Sequence, residues 1–428
     1  MGGDCITVQL SRLRGDINLR GTMKLKLTIA LIVLLLAQLA CRSSEPKTTE
    51  APAPESTSIP AKYQSLYDAL DRNLDADLAL VQPDPGAGHH DTIFGAELIV
   101  ANGNRGEALL EPSTLDGVKL YLDRLYAMGV RGVKNPIPYP LLAESFPRSQ
   151  EYLEFYRSVG KEIRSRGMTW TVQAGIIFTN TPFSPIDFDF SQMTYEQYKQ
   201  EDRAVVETIL RELQPDYLSL MGESDTQANL TGMQEFNDPQ KGVEFVNYIL
   251  DGLDRGSTKI CAGTGSWTPA AYAQALAEQT SLDCISIHVY PVNPQFIQNA
   301  LAMAEYAHAN GKSVIVPESW LYKIDQPDGG DNVAATADIF KLDAFSFFAP
   351  LDQKFFEMMV DFVDKAEVDF ISFFWSQFLF SYADYSPALD NGSYETIRDT
   401  SNQASYQALL KGDLSPLGEY YRMLINGR

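Results

Sequence analysis

Eight short apolar runs, each followed by a longer segment of helical period, recur along this chain from residue 92 onward, and nothing else limits its folding choices so strongly. The runs are TIFGAELIVA (92–101), VRGVKNPI (130–137), TWTVQAGII (169–177), YLSLMGE (217–223), KICAGTG (259–265), CISIHVYP (284–291), SVIVPESW (313–320) and FISFFWSQF (370–378). Short runs rich in β-branched and aromatic residues read as strands covered on both faces. Between them, LDGVKLYLDRLYAMG, YLEFYRSVGKEIRSRG and YKQEDRAVVETILREL place apolar residues at i, i+3 and i+4 with charges opposite. Helical segments stop at Gly129, Gly167 and Gly311, where glycine relieves a left-handed cap. Strands alternating with helices imply a parallel sheet in an α/β fold. Eight units in series close into a (β/α)8 TIM barrel. An open doubly wound sheet would want a nucleotide-type glycine loop after its first strand, and ANGNRGEALLEP contains no GxGxxG. A helix over Tyr63 to Leu80 is expected to cap the barrel ahead of the first strand, and LGEYYRMLING to form the last helix.

The segment ahead of the barrel has a different character. Lys24 and Lys26 precede the apolar run 27–40, too short for a transmembrane helix but suited to a secretory signal. It ends Leu39-Ala40-Cys41, which resembles the lipobox of bacterial lipoproteins, in which the cysteine carries the lipid. Residues 1–22 are then read as an upstream mis-start, 23–40 as the signal and 41–60 as a flexible tether too polar to fold. Residues 61–428 remain as one barrel domain, exported and lipid-anchored through Cys41 to the bacterial cell envelope. The chain carries a net charge of −22, and loss of the basic leader leaves the remainder more acidic still. Such a surface repels nucleic acid and favours a neutral or cationic substrate. Cys261 and Cys284 lie in apolar strands, where buried thiols are the expectation and a disulfide the alternative.

In a (β/α)8 barrel the chemistry sits at the carboxyl ends of the strands. The fourth run ends in Glu223 and the seventh contains Glu318, each a carboxylate closing an otherwise apolar strand. Burying such a group is costly unless it has a partner or a task. Two of them on opposite strands suit cleavage of a glycosidic bond. That reaction needs one carboxyl protonated for the leaving oxygen and one ionised for the anomeric carbon. The sixth run adds His288-Val289-Tyr290, the seventh Trp320 and the eighth Trp375.

This constellation resembles the retaining glycoside hydrolases of clan A. The resemblance implies Glu223 as acid/base and Glu318 as nucleophile. It further implies Tyr290 as a hydrogen-bond donor to the nucleophile, His288 as the strand-six histidine, and Trp375 as the aromatic floor beside the scissile bond. It departs from the clan at Gly222, where an asparagine usually precedes the acid/base, and at Lys134, the nearest match to an arginine that holds the nucleophile ionised. Trp267 and Trp320 are expected sugar platforms. Glu97, a charge inside the first strand, is expected to meet a substrate hydroxyl or a lysine. Asn102, Asn104 and Gln173 are secondary candidates for sugar contacts, and His89 and His90 are placed at the opposite end of the barrel.

Rival chemistries find less support. Metal-dependent hydrolysis would want clustered histidines at strand ends, and only His288 qualifies, so no metal and no cofactor are expected. Phosphate-binding barrels want a glycine-rich loop late in the chain, and SQFLFSYADYSP is not one. The expected partners are a carbohydrate substrate and, through Cys41, a membrane. The alternative is a carbohydrate-binding surface lipoprotein on the same barrel whose catalysis has decayed.

Overall fold

Each apolar run forms a strand, but most of the strands stop short of the end of the run. A computed structural model describes residues 58–428 except 84, 85, 87 and 325–332. The leader, Cys41 and nearly all of the 41–60 segment lie outside the described residues. The strands are β1 (Ile93–Glu97), β2 (Gly132–Pro136), β3 (Thr169–Gln173), β4 (Tyr217–Ser219), β5 (Lys259–Gly265), β6 (Cys284–Val289), β7 (Ser313–Ser319) and β8 (Val368–Phe373). All neighbours pair parallel, and β8 returns to β1, so the sheet closes in sequence order. The residues that follow each ladder form the loops of the barrel mouth. Trp375 therefore sits just past β8 rather than on it.

Helices cover the outside. Gln64–Val81 stands ahead of β1 and Pro416–Asn426 ends the chain, both close to expectation. The helix Tyr195–Glu212 opens with a reciprocal capping box between Thr194 and Gln197, which satisfies two otherwise unpaired backbone donors. Among the described residues no helix is long and apolar enough to cross a membrane. His89 and His90 pair with Asp364 and Asp369 at the amino-terminal end of the barrel.

The barrel interior is filled in layers. At its amino-terminal end Ile93, Tyr217, Cys261, Cys284, Ile315 and Phe370 form a separate apolar cluster. Gly132 makes this layer possible: a Cβ there would lie 2.6 Å from Cε2 of Phe370. The expectation of two free thiols is corrected here. Cys261 and Cys284 are register partners on β5 and β6, with Cα atoms 4.6 Å apart, and they form a disulfide. Parallel neighbours facing the same interior layer bring the two Sγ atoms together, and the separation of the strands in sequence conceals it.

One irregularity positions the site. Ser286 and His288 of β6 pair with Ile315 and Glu318 of β7. Val316 and Ser319 of β7 likewise pair with Ile371 and Phe373 of β8. On both sides β7 carries one more residue than its neighbour, a β-bulge that includes Pro317, which has no N–H to lose from a ladder. Strict alternation from the interior residue Ile315 would send Glu318 outward with Val314 and Val316, which pack against the surrounding helices. The extra residue turns Glu318 into the barrel mouth.

Candidate active site

The mouth encloses a cleft of ≈ 860 Å³ whose walls include Lys134, Glu223, Trp267, His288, Glu318 and Trp375. Its centre is a chain of contacts reaching across the barrel. Lys134 on β2 is buried and donates to Glu318 Oε2 at 2.6 Å and to Glu97 Oε2 at 2.9 Å. Tyr290 OH donates to the other oxygen, Glu318 Oε1, at 2.5 Å. Burial alone would push the Glu318 carboxyl up. The charges of Lys134 and His288 and the hydrogen bonds from Lys134 and Tyr290 outweigh it and hold Glu318 below the ordinary carboxylate range. Glu318 is thus ionised at neutral pH while only 9 % exposed.

Glu223 sits at the start of the helix Ser224–Thr231, immediately beyond the short β4. Its Oε1 meets His288 Nδ1 at 2.8 Å, and His288 Nδ1 lies 3.9 Å from Glu318 Oε1. One oxygen of Glu223, one of Glu318 and a ring nitrogen of His288 fall within 4.8 Å of one another. Two carboxylates and an imidazole are metal-type donors. Here, however, both oxygens of Glu318 already accept hydrogen bonds, one from an ammonium 2.6 Å away. That arrangement fits a pair of reacting carboxyl groups better than a cation site.

Gly222 has a geometric reason. A Cβ at this position would stand 2.5 Å from His288 Nε2 and 2.7 Å from Gln173 Nε2, so the space beside Glu223 is already filled from β3 and β6. No asparagine fits there unless both side chains move.

The aromatic expectations divide. Trp375 lines the cleft, with Phe340 5.1 Å away edge-on. Trp267 also lines it, donating from Nε1 to Asp225 Oδ2 at 2.7 Å and meeting Tyr290 edge-on at 5.5 Å. Trp320 does not. It is fully buried against Phe355 and Phe356 of the helix Ala349–Lys365 and against Phe378, and it presents no face to a sugar. The reason is that β7 ends at Ser319, so Trp320 already belongs to the turn that packs under that helix. Of the two partners expected for Glu97, the structure shows the lysine: Glu97 is completely buried, its oxygens taken by Lys134 and by Asn102 Nδ2 at 2.7 Å, and it is not open to a substrate.

Several cleft residues carried little signal in the sequence. Tyr322 lies against Tyr290 with ring centres 4.2 Å apart. Asp225 leaves Oδ1 without a partner among the described residues. Burial and the nearby Glu223 charge push its carboxyl up, against the hydrogen bond from Trp267. A polar residue two positions beyond Glu223 was visible, but only the turn into the helix Ser224–Thr231 shows that it faces the cleft.

No protein-family model matches this chain, and no curated protein matches it by sequence. Among solved structures it is similar to an exo-β-1,4-mannosidase from Opitutaceae bacterium strain TAV5, with a TM-score of 0.51 and 14% identity over 81% of this chain and 60% of that one. The chain therefore spans 60% of that mannosidase's length. It is also similar to GH5_18 from Bifidobacterium longum subsp. longum, with a TM-score of 0.52 and 14% identity over 79% of each chain. A variant of that protein in complex with Manβ1-4GlcNAc gives 0.50 and 15% identity over 78% of each. At such identities the likeness is one of fold, a closed barrel of eight parallel strands shared with these proteins.

Proposed function

We propose that this protein hydrolyses β-linked oligo- or polysaccharides by a retaining double displacement, with Glu318 as nucleophile and Glu223 as acid/base. The observation that carries the reading is the approach of the two carboxyl groups, one oxygen of each lying within 4.8 Å. Retaining glycosidases hold their carboxyl groups about 5–5.5 Å apart, whereas inverting enzymes need roughly 6.5–9.5 Å to seat a water between them. Glu318, held ionised by Lys134 and Tyr290, attacks the anomeric carbon as Glu223 protonates the departing oxygen. A glycosyl ester forms on Glu318. Glu223, now ionised, then takes a proton from water as that water attacks the same carbon and frees Glu318. His288 positions Glu223, and Trp375 offers its face to the sugar.

The test is reducing-end release from a panel of β-linked polysaccharides and aryl β-glycosides, with β-mannosides included because the neighbouring folds act on or bind them. Glu318→Gln and Glu223→Gln should each lower turnover by several orders of magnitude. Azide should partly restore the Glu223→Gln variant on an activated aryl glycoside, because an external nucleophile bypasses the missing base. Turnover unchanged in Glu318→Gln would remove the mechanism. Sugar binding without turnover in the wild type would instead favour a decayed carbohydrate-binding barrel.

We further propose that the barrel is exported and held to a membrane by lipid on Cys41. The support is the basic, apolar and Leu-Ala-Cys order of the leader followed by a polar tether. Cys41→Ala should shift the expressed protein from the detergent-extracted membrane fraction to the soluble one. An unchanged distribution would refute the anchor.

A further inference from the structure

The helix Tyr394–Lys411 follows β8 and presents one face to the catalytic cleft. Tyr394, Arg398, Asn402 and Tyr406 are four residues apart in sequence, and all four line the cleft. Four-residue steps keep side chains on one stripe of a helix, so this row extends ~18 Å, enough for several pyranose rings. The row is tied to the catalytic centre. Ser405 Oγ donates to the Gln377 carbonyl at 3.1 Å, in the turn Ser376–Leu379 that begins directly after Trp375.

The side chains of the row have the chemistry of a sugar-binding strip. Tyr394 meets Phe183 edge-on at 5.7 Å, and the Arg398 guanidinium lies 5.6 Å from the Tyr394 ring centre. Arg398 is neutralised by Asp399, to which its Nε and Nη2 both donate. Asn402 and Tyr406 have no side-chain hydrogen bond or ring contact among the described residues. Tyr406 is 52% exposed, one of few large apolar side chains so open to solvent, and Leu410, one turn on, is another. On an exposed helical stripe where lysine or glutamate would serve solubility, an open tyrosine, an amide and a second tyrosine beside a catalytic cleft mark a place for a ligand. Aromatic faces cover the CH faces of pyranoses, and the amide matches hydroxyl groups.

We propose that this row binds the extension of a β-linked oligosaccharide beyond Trp375, so that the substrate is a sugar chain rather than a single glycoside. The proposal rests on the glycosidase reading above and adds to it the residues that hold the sugar chain beyond the catalytic pair. Calorimetry on the Glu318→Gln variant, titrated with β-1,4-linked manno- and gluco-oligosaccharides from disaccharide to hexasaccharide, tests it. Affinity should rise with chain length for at least one series. Adding Tyr406→Ala should remove about tenfold of affinity from the longest members and leave the disaccharide unchanged. Asn402→Ala should act in the same direction with a smaller loss. Both positions are solvent-facing, so the variants are expected to fold, and circular dichroism checks that they do. Affinity independent of length, or an equal loss at every length in Tyr406→Ala, overturns the strip. If wild type still cleaves aryl β-glycosides in that case, the catalytic reading stands and only the strip falls. Absence of both cleavage and sugar binding removes both.

Discussion

At the scale of single residues the site depends on Lys134. A lone ammonium bridges two buried carboxylates, so its removal leaves negative charges that the interior cannot solvate. In the proposed mechanism the sign of the effect on activity follows from Glu318, which would have to be ionised to attack; burial pushes its carboxyl up, and Lys134 does most to hold it low. The acidic limb of kcat/KM in the wild type should therefore lie below the ordinary carboxylate range. In Lys134→Met the limb should move to higher pH, and kcat/KM near pH 6 should fall by roughly 10²-fold or more. A pH–rate profile checks this, and an unmoved limb would take Lys134 out of the mechanism. Much of this centre was legible in the sequence, because a carboxylate ending an apolar strand is expensive and therefore conspicuous. Glu223, Glu318, Tyr290, His288 and Lys134 all meet at the mouth. Trp320 and Glu97 were less readable, since position near a strand end does not say whether a side chain faces the cleft or the helical layer.

At the scale of elements the eight strands were legible from their apolar runs, and their ends were not. The register was hidden too. The bulge in β7 adds one residue between Ile315 and Glu318 and reverses which face the glutamate takes, yet no local composition signals it beyond Pro317. The same blindness to register concealed the disulfide between Cys261 and Cys284, which became visible only once β5 and β6 were laid side by side. That bond closes a loop with a sequence separation of 23, for which loop-closure entropy gives about 3 kcal/mol. The double variant Cys261→Ala/Cys284→Ala should lower Tm by several degrees. Turnover at room temperature should be retained, because the pair lies in the interior layer remote from Glu223 and Glu318. Differential scanning calorimetry with parallel rate measurements separates the two effects. Loss of turnover at unchanged Tm would show that the bond serves the site and not the barrel.

At the scale of the whole molecule, charge balance makes stability depend on pH in an uncommon direction. Burial pushes Asp77 up to about 7 and Asp202 up to about 8, and neither carboxyl has a hydrogen-bond partner among the described residues. Burial likewise raises Asp343 to about 7 despite the adjacent Lys323 charge. In the unfolded chain such groups release their proton near pH 4. The folded state therefore binds more protons than the unfolded state across the interval between. Stability from these groups is fully present below the unfolded values and is lost as pH rises through 7 and 8. Glu318, Asp364 and Asp390 run the opposite way, but carboxyls held below their ordinary values exchange protons only in the acid range and leave the interval from about pH 5.5 to 8.5 to the raised groups. The net charge of −22 adds self-repulsion that grows as carboxylates ionise. Thermal unfolding should accordingly give a higher Tm at about pH 5.5 than at about pH 8.5, where many proteins would show a plateau. Asp202→Asn separates the local cause from the general repulsion, because it keeps the shape of the side chain and removes its titration. If burial of Asp202 is a main source of the slope, the variant should gain Tm chiefly at the alkaline end and flatten the profile. A variant profile parallel to wild type would leave surface repulsion as the cause, and adding salt should then raise Tm at pH 8.5 in both proteins alike.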